Sequence, residues 1–500
     1  MHVCYNLTTI DNTEVALQMI KIQVRDADEL KFPCEALIVP LAEKQSPPRA
    51  LDAALGGLIK NSQSSGEFSG KAGKVLILHT GGMIKPRRVV LAGIGNKPSS
   101  EDMRKAGGAA ASALKGLRDA ALSTSTIQGH KLSPSDFVEG AILGAYEFTT
   151  YKKAEKKALG TITVLSRQGR ALAESIRYAT TAAEATNFAR DLVNTPAREM
   201  RPSDLVRAAR GIKGITVRAL GEKEAKKLGM NAYLSVSGGS KEPPQFIIAT
   251  YRGAAASIKP TVLVGKSITF DSGGLSLKPS GSMETMKYDM AGGAAVLGAL
   301  RAASGLKMKA NLIGVLPACE NLPGGDNPNK PGDVVRAING TTIEILNTDA
   351  EGRLALADAI GYAEMKLKPA RIIDLATLTG ACTIALGEEA IALMGNDEKL
   401  IRAIAGAGDD VYERAWHMPL FEEYADYIKS DIADIKNIGR GRSGGLLTAG
   451  YFLKGFAGKT PWVHLDIAST AWVDTPGPYR PKGASGIGVR LLLRYISSLK

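Results

Sequence analysis

Cysteine and histidine are scarce in this 500-residue chain. Its four cysteines, Cys4, Cys34, Cys319 and Cys382, are scattered and show no metal-binding pair spacing. A disulfide framework is therefore not expected, and buried free thiols are. The five histidines are dispersed and no His-Glu-x-x-His sequence occurs, which argues against a histidine-ligated zinc site. Long apolar runs are missing too: no stretch approaches the roughly 20 residues that a membrane span needs. Met1-His2-Val3-Cys4-Tyr5-Asn6 shows no basic region followed by an apolar one, so no export signal is read there and a cytoplasmic setting is expected. Two nucleotide-binding patterns are each one glycine short. Gly93-Ile94-Gly95-Asn96 lacks the third glycine of a dinucleotide fingerprint, and Gly458-Lys459-Thr460 has Leu453 where a phosphate loop requires glycine. No internal repeat or low-complexity segment is evident.

What is present is ordinary for a globular protein: 44% apolar and 23% charged residues, with 55 glycines suited to tight α/β turns. The net charge is +13 and the pI about 9.4. The densest basic cluster is Lys152-Lys153-Ala154-Glu155-Lys156-Lys157. It reads as a solvated linker face rather than a nucleic-acid site, although a basic assembly can bind DNA phosphates non-specifically.

Five hundred residues exceed one ordinary core, so two domains are expected. Residues 36–40, 75–78 and 89–93 read as strands, and 101–118 and 134–147 as helices: a small α/β domain. The charged stretch at 152–157 marks the candidate boundary. A strand at 161–165 and an Ala-rich helix near 171–193 follow, stopped by Asn194-Thr195-Pro196 because the residue before proline avoids helical backbone. Further strands are expected at 246–249, 260–264, 310–315, 371–375 and 463–467. The fold class is thus α/β, a small N-terminal domain (1–165) followed by a larger catalytic domain (166–500) with a mixed, mostly parallel sheet covered by helices.

Two stretches carry the chemistry. Asn347-Thr348-Asp349-Ala350-Glu351-Gly352-Arg353-Leu354 sets three charged residues at alternate positions before a run of good helix formers. On extended or loop-like backbone their side chains would share a face. A surface ion pair capping the helix is the plainer alternative for this octet alone. The second stretch follows a buried strand: Val264-Gly265-Lys266-Ser267-Ile268-Thr269-Phe270-Asp271, then Lys278, Met286 and Asp289. Three aspartates and a glutamate crowded into one pocket would force protonation. Divalent cations relieve that repulsion, and oxygen-rich sites suit hard or borderline ions.

In order and spacing, Lys266, Asp271, Lys278, Asp289, Asp349, Glu351 and Arg353 resemble the signature of the cytosolic leucyl aminopeptidases. Ala189-Arg190-Asp191-Leu192-Val193-Asn194-Thr195-Pro196, Ala376-Thr377-Leu378-Thr379-Gly380 and His464-Leu465-Asp466-Ile467-Ala468 add to the likeness. It is strong over the C-terminal two-thirds and loose over the first third. The resemblance implies a hydrolase that releases N-terminal, leucine-like residues from peptides by a water activated between two divalent metal ions (manganese or zinc, with magnesium or cobalt also admissible). It implies that Asp271 and Glu351 bridge both ions, that Asp349 completes one site, and that Lys266 and Asp289 complete the other. A ligating Lys266 must be neutral, so a strongly lowered pKa is expected of it. Lys278 would stay charged and stabilise the oxyanion, and Arg353 would hold a bicarbonate that serves as general base. Thr377 and Gly380 would hold the peptide backbone, Met286 would line the side-chain pocket, and the chain would assemble as a homohexamer. Departures from the family pattern are Ser267 and Ser469-Thr470 where glycine is usual, and the order Met290-Ala291-Gly292-Gly293; none removes a ligand.

Two readings from other classes stand beside this one. Some relatives bind DNA, so a DNA-binding role is a second hypothesis, although the seven retained site residues speak against an inactive binder. Gly441-Arg442-Ser443-Gly444-Gly445 matches a serine-hydrolase elbow, with His464 and Asp466 as imaginable partners. That elbow needs a strand immediately before it, and 431–439 reads poorly as one. His464, inside an apolar run, reads as a satisfied core residue rather than a ligand.

Overall fold

The computed structural model describes residues 20–153, 158–167, 170–325, 327–441 and 443–499. The opening hexapeptide with Cys4, residues 154–157 of the charged stretch, and Arg442 of the elbow-like pattern lie outside the described residues. The chain divides into two compact units, Met1–Thr180 and Thr181–Lys500.

In the first unit, β1 (Lys21–Arg25), β2 (Ala36–Leu41), β3 (Val75–His79), β4 (Arg88–Gly93), β5 (Asp119–Ser123) and β6 (Thr161–Leu165) form a sheet in the order β1-β6-β5-β2-β4-β3. Only the β3–β4 pairing is antiparallel. The unbroken apolar run of β2 is buried along its whole length, as expected of an inner parallel strand covered on both faces. Helices Ser100–Ala113 and Pro134–Gly144 start at Ser99 and Ser133, whose hydroxyls accept backbone N–H bonds from Asp102 and Ser135. Both end earlier than expected. The first stops just before Gly116, whose φ of 92° no helix tolerates.

In the second unit the strands are β7 (Thr216–Leu220), β8 (Gln245–Arg252), β9 (Thr261–Gly265), β10 (Ser267–Asp271), β11 (Asn311–Asn321), β12 (Asp333–Arg336), β13 (Thr342–Ile345), β14 (Arg371–Ala376), β15 (Ile391–Gly395), β16 (Ala415–His417), β17 (Ile435–Lys436), β18 (Trp462–Asp466) and the paired two-residue β19 (Trp472–Val473) and β20 (Gly483–Ala484). Nine of these form one sheet, ordered β16-β15-β18-β14-β9-β11-β8-β7 with β10 beside β11. β12, β13 and β17 form a small separate sheet. In the large sheet β18, β14, β9 and β11 run parallel, flanked by antiparallel pairings of β15 with β18 and of β8 with β11 and β7. β11 continues past residue 315 to Asn321 because β10 takes over as its parallel partner beyond the end of β9. The long Ala-rich helix spans Arg170–Asn194.

Helix Gly352–Tyr362 is buried along its length. Leu354, Leu356 and Ile360 pack in a core with Val262, Val264, Ile372 and Trp462, each large aliphatic contributing roughly 1.5–3 kcal/mol on burial. Among the helix's buried polar residues is Asp358. Its carboxyl accepts N–H bonds from Tyr233 (2.8 Å) and Ile338 (2.7 Å), tying the helix to two other segments. Among the described residues no helix is long and apolar enough to cross a membrane. Cys34, Cys319 and Cys382 are free and buried.

Burial pushes the Asp358 carboxyl up to about 7 from 3.8, against its backbone N–H bonds. With the folded pKa above the unfolded one, its contribution is whole below about pH 4 and is lost as pH rises through about 7. Between these limits stability should fall by up to about 1.4 kcal/mol per pH unit from this group. Urea denaturation at pH 5 and pH 8 checks this: Asp358→Asn should flatten the difference, and an unchanged difference would assign the titration elsewhere.

Candidate active site

The charged residues collect beyond the carboxyl ends of the parallel strands, where open α/β sheets place their sites. Lys266 is the single residue between β9 and β10, Asp271 closes β10, and Thr377 follows β14. Lys266 is held by its backbone, donating to Leu375 O and accepting from Gly293 N. Its side chain therefore starts from a fixed root.

The Lys266 ammonium lies 2.7 Å from Asp289 Oδ1 and 3.0 Å from Glu351 Oε1, and donates to the Thr377 carbonyl at 2.9 Å. Lys278 Nζ lies 2.9 Å from Asp271 Oδ2 and 2.5 Å from Asp349 Oδ1. Asp271 Oδ1 accepts from Gly273 N and Asn321 Nδ2. Asp289 Oδ1 accepts the Thr377 hydroxyl at 2.7 Å. Asp271, Asp289 and Glu351 bring one oxygen each within 4.8 Å of one another, and all three are 1–3% exposed. The structure thus brings together Lys266, Asp271, Lys278, Asp289, Asp349, Glu351 and Thr377.

Burial, and then repulsion from neighbouring carboxylates, pushes Glu351 and Asp349 above the usual carboxylate range. Burial does the same to Asp289 against the pull of Lys266. The Lys266 shift is set here by protein charges alone. Burial lowers its pKa, but Asp289, Glu351 and Asp271 outweigh that and hold it above the usual lysine value. The carboxylates suited to a metal cation serve equally well as counter-charges to an ammonium; a cation bound among them would favour the neutral lysine instead. Lys278 is raised in the same way, against its own burial, by Asp271, Glu351 and Asp349.

The octet at 347–354 converges by a different route from the alternation expected of extended backbone. Asn347 Oδ1 accepts from Asp349 N, folding a turn. Glu351 already has helical backbone (φ −76°, ψ −36°) and its carbonyl accepts from Leu354 and Ala355. Arg353 therefore sits in the first turn of helix Gly352–Tyr362, and the Glu351 carboxylate sits at that helix's N-terminus, where a negative charge is favoured. Arg353 is buried; its Nη1 donates to Asn437 O at 2.8 Å and its Nε has no partner. Burial lowers it to about 10, opposed by Glu351 and Asp466.

Sequence reasoning missed the residues that stitch these segments together. Asn437, fully buried, accepts from Leu346 N and Asn347 N and donates to Asn347 O. Asn321 bonds both Asp271 and the Thr348 carbonyl. The Thr348 hydroxyl donates to Gly273 O and accepts from Ser276 N, joining the 272–278 loop to the octet. Asparagine and threonine near strand ends usually signal turns, so nothing in the sequence marked these three.

Other expectations resolve plainly. Met286 is half-buried on the turn leading to Asp289, and Gly380 is exposed at the start of helix Gly380–Leu386. The Ser267 hydroxyl donates to Gly265 O and occupies the space a Cβ on Gly293 would need, which accommodates that departure from the family pattern. Ser443 is exposed on a turn preceded only by the two-residue β17, so the elbow does not form. Leu453 lies in helix Gly445–Lys454, which does not suit a phosphate loop. His464 is fully buried with Nδ1 2.5 Å from Asp374 Oδ1.

The donor set fits divalent cations. Besides the three clustered carboxylates, Asp289 Oδ2 and Glu351 Oε2 are buried without a hydrogen-bond partner, a costly arrangement unless something positive is held there.

Comparison with known proteins places this geometry. Residues 38–155 match the N-terminal domain, and residues 187–493 the catalytic domain, of the cytosol aminopeptidase family. The chain is 45% identical over 494 residues to a probable cytosol aminopeptidase of Geobacter sp. (strain M21), covering 95% of this chain and 99% of that one. Against the cytosol aminopeptidase of Pseudomonas aeruginosa (strain PAO1) it is 43% identical over 464 residues, covering 90% and 92%. Among solved structures it resembles a mutant of tomato leucine aminopeptidase (TM-score 0.86, 33% identity, 96% of each chain). It also resembles the bottromycin maturation enzyme BotP in complex with Mn (TM-score 0.84, 31% identity, 93% of this chain and 99% of that one). The class is therefore a hydrolase, an exopeptidase acting at peptide N-termini, from a metal-dependent family. The chain belongs to the cytosol aminopeptidase family. The DNA-binding alternative gains no support from these relatives.

Gly352 leaves the Lys266 side chain room: a Cβ there would lie 2.5 Å from Lys266 Cε and 2.7 Å from Nζ. Gly352→Ala should displace the lysine and lower kcat/KM by about 100-fold, the cost of a misplacement near 1 Å. Because Gly352 has ordinary helical backbone, the melting temperature should change little. Steady-state kinetics with thermal denaturation check both halves.

Proposed function

We propose that the centre holds two divalent cations, manganese or zinc, and removes N-terminal residues, leucine-like ones preferred, from peptides. The observation that carries this is the buried triad Asp271, Asp289 and Glu351 with its unpartnered oxygens. Asp271 and Glu351 would touch both ions, Asp349 one, and Lys266 and Asp289 the other. When bound, such a pair supplies an activated water and a polarised carbonyl.

The chain's own residues do the rest. Asp289 accepts from the substrate's free amine, which accounts for attack only at an N-terminus. The Lys278 ammonium faces the developing oxyanion and stabilises it electrostatically. The buried Arg353, with Nε free of protein partners, holds bicarbonate, which supplies the base when present. Backbone groups of Thr377 and Gly380 hold the peptide and Met286 borders its first side chain. Cytoplasmic placement and a homohexamer belong to the same proposal and rest on family resemblance. The domain boundary at 165/166, read from the charged stretch at 152–157, falls between the family matches to 38–155 and 187–493, with the compact units dividing later, after Thr180.

Leucine-amide hydrolysis should vanish on metal stripping and return with manganese or zinc; activity indifferent to chelation would refute the reading. Asp349→Asn and Glu351→Gln should each cost more than about 100-fold in turnover, since even outer partners of metal ligands are worth 10–100-fold. Circular dichroism should show the fold intact. Lys278→Met should lower kcat by about 100- to 1000-fold, the usual worth of one oxyanion donor. Bound metal, measured by elemental analysis, should not change in that variant; if the metal goes with the lysine, the lysine supports binding and not the oxyanion.

A further inference from the structure

Asp466 is the last residue of β18 and is fully buried, and no step described above uses it. Its carboxylate gathers three donors. Oδ1 accepts from Leu378 N (3.2 Å) and Ala468 N (3.1 Å), and Oδ2 accepts the Thr379 hydroxyl at 2.7 Å. That hydroxyl in turn accepts from Cys382 N, capping helix Gly380–Leu386. The 377–380 loop is thus pinned from two sides: Lys266 and Asp289 grip Thr377, and Asp466 grips the next two residues.

Beneath Asp466 lies a second tier. His464 shares its face of β18, two residues back. Asp374 stands opposite His464 in the parallel register and accepts from His464 Nδ1 and, at 2.6 Å, from Trp462 Nε1. Asp374, His464 and Asp466 are all fully buried. Burial works against a charged imidazole, but Asp374 and then Asp466 outweigh it and raise the His464 pKa, opposed by Arg353. Burial raises the Asp466 pKa, opposed by His464 and by the bonds from Thr379, Ala468 and Leu378, and those same bonds hold the carboxyl in place.

We propose that Asp466 is the positioning residue of the 377–380 loop, fixing the backbone that receives the peptide, with His464 and Asp374 as its support. This rests on the reading that the loop binds peptide. Asp466 touches neither substrate nor the acidic centre. It acts through Leu378 and Thr379, so it governs substrate affinity rather than the chemical step.

The test uses the manganese-loaded enzyme with leucine amide. Asp466→Ala should raise KM by about tenfold or more while kcat stays within about threefold and manganese per chain is unchanged. Thr379→Val, at a half-buried loop position, should shift KM the same way, and Thr379→Ser, which keeps the hydroxyl, should restore it. If Asp466→Ala does not fold, the Thr379 pair decides. An unchanged KM in Thr379→Val, a Thr379→Ser as impaired as the valine, or loss of manganese together with activity would overturn the proposal; the last would make Asp466 a support of the metal ligands through Thr377. Wild-type activity that ignores chelation would sink the metal reading alone, and the KM comparison would still judge the loop.

Discussion

The second unit is organised around a repulsion. Asp271, Asp289 and Glu351 are driven together in a place where water cannot screen them. Their folded arrangement is tolerable only because positive groups stand between them: Lys266 against Asp289 and Glu351, and Lys278 against Asp271 and Asp349. Buried ion pairs of this kind add little net stability, since desolvation cancels much of the attraction. Their retention is intelligible as a functional constraint, a cavity shaped to prefer cations, built at the expense of an otherwise apolar sheet edge.

Holding such groups in place falls to neutral ones. Asn321 and Asn437 spend their amides on backbone and carboxylate partners across long sequence separations. Thr348 joins the two charged stretches directly. At the back of helix Gly352–Tyr362, Asp358 performs the same service with a carboxyl that burial pushes toward neutrality. The site thus sits on a floor of strands and one core-packed helix, with the 377–380 loop tied down beside it.

Much of the fold was legible because apolar runs bounded by turn residues are a local property. The expected strands at 246–249, 260–264, 371–375 and 463–467 correspond to β8, β9, β14 and β18; the last three differ by a residue at an end, while β8 runs on to Arg252. β10 and the extension of β11 were not legible, because their pairing depends on a partner that exists only once β9 has ended. The charged residues announced themselves by type and spacing. The reason they converge at 347–354 did not: it is a turn closing into a helix, not alternation along extended chain.

From sequence alone came the class of fold, the identity of the charged residues and the family they resemble, since composition, spacing and apolar pattern are written in order along the chain. Tertiary structure alone decided which neutral side chains hold those charges, and that Lys266 lies between the carboxylates of Asp289 and Glu351. It also revealed that Asp466 reaches back across β14 to Leu378 and Thr379. Such partners lie tens of residues apart, and a hydrogen bond depends on distance in space, of which separation along the chain carries no record.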